Sequence, residues 1–142
     1  MIAQRQPKQT AGDEKRARAI VRERDGGVCV RCRRPGRVVH WDHRQNRSQL
    51  GRWEAANGQE LCGPSTGDIG CHEWKGRNPV EAAAEGWGVP ADEDPHTYPA
   101  RRWTRGRYGV LRLVWVIYNN AGSWVEISDQ EARERIKRGP HA

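Results

Sequence analysis

The chain has 142 residues and a mass of 16.2 kDa, room for one domain, or one small domain with an appendage, and none for a large multidomain enzyme. Only 35% of its residues are hydrophobic, Phe is absent and 30% are charged, so the apolar core is small and calls for a metal or covalent staple, with seven Trp supplying buried area. The formal charge of +7 is uneven: residues 1–52 carry 14 Lys and Arg against 5 Asp and Glu, and residues 53–142 carry 11 against 13, which directs an anionic partner such as nucleic acid to the first half.

The opening MIAQRQPKQT lacks the apolar run of a signal peptide, and no 18-residue apolar stretch is present to span a membrane. A cytoplasmic, reducing setting is expected, where cysteine pairs serve metals more often than disulfides. Residues 1–12 read as a flexible basic arm. From Asp13 to Arg24 the apolar Ala17, Ile20 and Val21 recur at helical spacing, with Thr10 or Asp13 as N-cap and Gly26 as the stop. Gly26, Gly27, Pro35 and Gly36 break the chain around Cys29 and Cys32, and Arg37–His43 (RVVHWDH) predicts a strand.

Residues 44–58 form a polar loop returning to a second short strand at Gln59–Leu61. A helix begins at His72, and Asn78 with Pro79 caps and starts another over VEAAAE, stopped by Gly86. Residues 87–109 are rich in proline and read as a linker. Val110–Tyr118 and Trp124–Ile127 flank Asn119-Asn120-Ala121-Gly122, a hairpin signal. Ser128 and Glu131 predict a capping box for a last helix, with Ile136 as its apolar contact and Gly139-Pro140 as its stop. The fold class is α+β.

The chemistry gathers in the first half. Cys29-x-x-Cys32 presents two thiolates at the spacing a tetrahedral zinc requires, and Cys62 with Cys71 supplies a second pair after 29 intervening residues. The alternative for such pairs is buried or redox-active thiols. Eight residues rather than two separate Cys62 from Cys71, and Gly63, Gly67 and Gly70 let that segment fold out and return. Between the pairs lies His40-Trp41-Asp42-His43, and His72 follows the last cysteine. A carboxylate beside one imidazole, with a second imidazole brought near by the staple, is what a one-metal phosphodiesterase needs. Two ligands hold the cation and the remaining ring takes a proton from water. Each histidine alone also fits a surface or packing role.

The arginines Arg22, Arg24, Arg31, Arg33, Arg34 and Arg37 suit phosphate contacts that position DNA without reading its sequence; their bland reading is a solvated charged face. Trp41, Trp53 and Trp74 are expected in packing. The hairpin bearing Trp115 and Trp124 is expected to cover the core, its rival role being the docking of a protein partner.

Taken in order, Cys29-Val30-Arg31-Cys32, Asp42-His43, Asn57, Leu61-Cys62 and Cys71-His72-Glu73-Trp74-Lys75 resemble the HNH (His-Me finger) endonucleases stapled by two cysteine pairs. The resemblance spans residues 13–85, about half the chain, and the long Cys62–Cys71 segment departs from the family pattern. It implies a ββα-metal core over residues 13–86, a structural zinc on the four cysteines, His43 as general base, and Asp42 with His72 holding Mg²⁺ or Mn²⁺. Asn57 would orient the loop and the His43 ring, although Asn57-Gly58 is also a turn dipeptide. His40, on the strand face of Asp42, is a reserve ligand or a solvent-facing residue. DNA would be the substrate. The small size and arginine bias are similar to HNH proteins of phages infecting GC-rich hosts, which implies the host cytoplasm and a terminase as partner. The rival reading is a zinc module that binds DNA or RNA without cutting it.

Overall fold

The computed structural model describes residues 6–137; residues 1–5 of the expected arm and the expected Gly139-Pro140 stop lie outside them. Helix α1 (Ala11–Asp25) is opened by Thr10, whose hydroxyl accepts from the Asp13 amide while the Asp13 carboxylate accepts from the Thr10 amide. Asp13 and Glu14 in the first turn and Arg22 and Arg24 in the last complement the helix dipole, and Gly26 ends it at φ 70°. Ala17, Val21 and Asp25, each four residues apart, are its buried stripe, laid against β2. Residues 6–10 are anchored rather than free. Gln9 exchanges two hydrogen bonds with the Trp53 backbone, and Arg52 donates to the Pro7 carbonyl.

Strands β1 (Val39–His43) and β2 (Gly58–Cys62) pair antiparallel, with Asp42 opposite Gln59 and His43 opposite Gly58. Helix α2 (Cys71–Arg77) packs on β2 and is followed directly by α3 (Pro79–Ala84). Asn78 does not cap α3 with its side chain; it turns back and donates to the Trp74 carbonyl at the end of α2.

The expected linker is part of the core. Trp87 and Val89 are buried, and β3 (Ala100–Arg105) joins β4 (Leu111–Tyr118) and β5 (Trp124–Ile127) in a three-stranded antiparallel sheet of order β3-β4-β5. Val114, Val116 and Tyr118 turn one face of β4 inward, and a lone two-stranded hairpin would hold them poorly. The third strand hides in sequence because its inward residue in mid-strand is an arginine, Arg102. Helix α4 (Asp129–Lys137) starts where the Ser128 hydroxyl accepts from the Glu131 amide; its buried contact is Ala132, with Ile136 half-buried.

A buried ionic knot joins the two sheets. The Asp25 carboxylate accepts from Arg24 at 2.8 and 3.0 Å, from Arg102 at 2.7 Å and from the Glu60 amide at 3.0 Å. Arg24 also donates to the carbonyls of Ala55 and Gly58 and stacks 3.8 Å from the Tyr118 ring. Its side chain is 1% exposed. Arg24 is therefore a structural cation, which corrects its expected place among the DNA-contacting arginines. Asp25→Ala leaves two cations facing each other in the interior, and a loss of ~3–5 kcal/mol is expected. Equilibrium urea unfolding measures it; a loss below ~1 kcal/mol would mean that water or the backbone already satisfies both guanidinium groups.

Candidate functional site

The four cysteines converge although they come from three places in the chain. The knuckle between α1 and β1 carries Cys29 and Cys32, the end of β2 carries Cys62, and the start of α2 carries Cys71. All four Sγ atoms lie within 4.8 Å of one another. Cys32 Sγ and Cys62 Sγ are 3.7 Å apart, far beyond a disulfide bond and close to the ~3.8 Å edge of a tetrahedron with 2.3 Å metal–sulfur bonds. The cluster can hold one structural metal ion such as zinc.

The long segment between Cys62 and Cys71 closes this cluster. It folds out through a Ser65–Asp68 bridge and is clamped by Asp68, which accepts from the Gly70 amide, from Arg34 and from Arg37. The Gly70 amide, then Arg34 and Arg37, hold the Asp68 carboxyl down to about 2. Gly70 sits at φ 86°, and a Cβ there would fall 2.4 Å from the Gly63 carbonyl oxygen, so only glycine passes this crossing. Amides of Cys32 and Cys71 donate to the sulfurs of Cys29 and Cys62, and Arg31 donates to Cys71 Sγ at 3.3 Å while stacking 3.6 Å over Trp74. A hydrogen bond from Cys71 pulls the Cys29 thiol down to about 4, and the donating Cys71 is pushed up.

Beside this lobe, Asp42 is 2% exposed and every contact to its carboxylate is specific. Oδ1 lies 2.8 Å from His72 Nδ1. Oδ2 accepts from Gln59 at 3.0 Å and pairs with Lys75 Nζ at 3.2 Å. Lys75 is itself buried and donates to the His43 carbonyl at 2.8 Å, which fixes the backbone at the end of β1. The hydrogen bond to Asp42 raises the His72 pKa against the opposing effect of burial. His72 is half-exposed on the groove side.

His43 faces elsewhere. Its ring lies 5.5 Å from Trp41 and 4.3 Å from Trp53 in edge-on contacts, and the Trp41 indole donates to Nδ1 at 3.0 Å. Desolvation lowers its pKa to about 4, helped by the charges of Arg47, Lys75 and Arg18 and opposed by Asp42. An unfolded histidine titrates near 6.5, so below that pH the unfolded chain binds a proton that the folded ring refuses. Stability is therefore expected to fall as pH drops from about 6.5 towards about 4, by ~1–2 kcal/mol once discounted for the ring's partial exposure. Urea titrations of wild type and His43→Gln at both ends of this window measure the difference; parallel losses in the two proteins would remove His43 as the cause.

Asn57 is buried and works on backbone. Its Oδ1 accepts from the Gln45 amide at 2.7 Å and its Nδ2 donates to the carbonyls of Gln45 and Arg52, both at 3.1 Å. It clamps the loop leaving His43 and, among the described residues, makes no hydrogen bond to the His43 ring. Asn57 thus holds the loop and not the His43 ring.

A groove of about 840 Å³ runs past His72, lined also by His40, Trp41, Arg18, Arg22 and Arg77. Arg22 pairs with the buried Glu60 at 2.7 Å while its side chain stays 59% exposed. Comparison of the chain with protein families, curated proteins and solved structures gives no match. Of the expected DNA-contacting arginines, Arg22 lines this groove, Arg31, Arg34 and Arg37 brace the cysteine lobe, and Arg33 stands at φ 54° within the knuckle. Lys75 and Gln59 are the parts that the sequence left without a role, and Trp41 and Trp53 pack on each other as expected, with centroids 5.1 Å apart. Lys75 stands three residues after His72 on α2 and so shares its helix face; Gln59 meets Asp42 only through the strand register.

Proposed function

We propose that this chain is a divalent-metal-dependent DNA endonuclease of the HNH type. The observation that carries the reading is the Asp42 Oδ1–His72 Nδ1 pair, 2.8 Å apart beside a groove edged by Arg18, Arg22 and Arg77. A carboxylate oxygen and an imidazole nitrogen this close would serve as neighbouring ligands of one Mg²⁺ or Mn²⁺. Lys75 and Gln59 take the other carboxylate oxygen, so Oδ1 and the imidazole are the two groups that would hold the ion.

A bound divalent ion supplies positive charge against the phosphorane and the departing 3′-oxygen. The chain's own residues do the rest. Groove arginines hold the phosphate backbone, and His43 accepts the proton of the water whose oxygen attacks phosphorus as the bond to the 3′-oxygen breaks. Asn57 and Lys75 hold the loop and the strand end that carry His43. The family likeness adds a phage terminase as a partner to this proposal, testable by co-purification.

The test is incubation of supercoiled plasmid with the protein and Mg²⁺ or Mn²⁺, with an EDTA control. Metal-dependent relaxation or linearisation is expected. One feature favours the second reading, a zinc module that binds nucleic acid without cutting: both ring nitrogens of His43 are enclosed in the free chain. Retardation of DNA with no cleavage under any divalent ion would decide for that module.

A further inference from the structure

The enclosure of His43 is a built arrangement. An indole nitrogen is only a donor, so the 3.0 Å contact from Trp41 Nε1 to His43 Nδ1 makes Nδ1 an acceptor and puts the ring proton on Nε2. Nε2 is buried without a hydrogen-bond partner among the described residues. In this state neither nitrogen can take a proton from water. Trp41 is held in place from below and from the side. A Cβ at Gly58 would fall 2.2 Å from its ring, and Trp53 packs against it with centroids 5.1 Å apart. The guanidinium groups of Arg18 and Arg47 lie 4.7 and 5.6 Å from the Trp53 ring. Trp41 and Arg18 also line the groove past His72, so the contact that closes His43 sits where a phosphate backbone would enter.

We infer that Trp41 is a catch on His43: its indole N–H keeps the ring closed in the free protein, and a DNA backbone that draws Arg18 and Arg47 away from Trp53 releases it. The inference rests on the nuclease reading for its consequence, the timing of catalysis. The two states are near balance for a physical reason. Breaking the Trp41 hydrogen bond is unfavourable, yet the closed ring buries an unpartnered N–H, which is unfavourable by a similar amount.

Trp41→Phe keeps an aromatic ring beside Trp53 and removes the donor, together with the outer indole ring that reaches Gly58. With saturating duplex DNA and Mg²⁺, its single-turnover cleavage is expected to run roughly two- to tenfold faster than wild type, the effect of one neutral hydrogen bond. An equal or lower rate overturns the catch. The wild-type protein supplies a second readout that is independent of activity and of the variant's folding. In ¹⁵N spectra the His43 ring is expected with its proton on Nε2, and the Trp41 indole and His43 Nδ1 signals are expected to move when a short DNA duplex is added with Ca²⁺ in place of Mg²⁺. Signals that stay fixed under saturating duplex overturn the catch, and cleavage alongside fixed signals leaves the nuclease reading standing without it. Signals that move while neither protein cleaves under Mg²⁺ or Mn²⁺ support the catch and overturn hydrolysis.

Discussion

Cys62→Ala is expected to lose the structural metal and, with it, the cooperative fold of the first half of the chain. Three sulfurs remain, and a closed tetrahedral site with one corner missing binds far more weakly. The consequence is large because the cysteines belong to the core itself: Cys29, Cys62 and Cys71 cluster with Val30, Val39, Leu61, Ala82 and Trp87. Few other apolar residues stand ready to hold this lobe together. Structural zinc contributes on the order of 10 kcal/mol in small zinc-dependent domains, and a loss of several kcal/mol is expected here. Metal analysis should fall from one ion per chain to a small fraction, and the thermal transition should broaden or vanish. A variant that keeps a full metal complement and a sharp transition would show that the cluster does not hold the ion. Chelation of the wild type should reproduce the same collapse, which separates loss of metal from loss of a side chain.

His43→Ala is expected to reduce metal-dependent cleavage roughly 10²- to 10⁴-fold, the contribution of a positioned general base, while metal content at the cysteines stays unchanged. The ring touches Trp41 and Trp53 but no cysteine, so the lobe that folds around the metal is left intact. His72→Ala should behave differently. It removes a half-exposed ring proposed to hold the divalent ion, and activity should be recovered in part by raising Mg²⁺ or Mn²⁺, whereas no metal concentration should rescue His43→Ala. Cleavage by His43→Ala at the wild-type rate would remove the mechanism. Asp42 is a poorer site for this test, because its removal also strands the buried Lys75.

Local features of the site were legible in the chain because short-range rules govern them. The Thr10 cap, the Cys29-x-x-Cys32 knuckle, the strand that carries Asp42-His43 and the turn at Asn119–Gly122 each follow from residues a few positions apart. The Asn119 side chain accepts from the amides of Ala121 and Ser123, as a turn asparagine does. Long-range pairings were not legible. The strand at Ala100–Arg105 has no period-2 apolar signal, since Arg102 takes an inward place and pairs there with Asp25, 77 positions away. Arg24 looked like its basic neighbours on α1 until the second sheet covered it.

The sequence by itself determined the residue types of a four-cysteine cluster and an Asp-His pair with a second imidazole, together with the concentration of positive charge in residues 1–52. Tertiary structure alone decided that Cys71 reaches the other three sulfurs, that Lys75 and Gln59 occupy the far oxygen of Asp42, and that Trp41 caps His43. The physical reason is that a side chain's chemistry is intrinsic, whereas the partner that satisfies it, exposes it or closes it is set by strand register and packing between segments far apart in the chain.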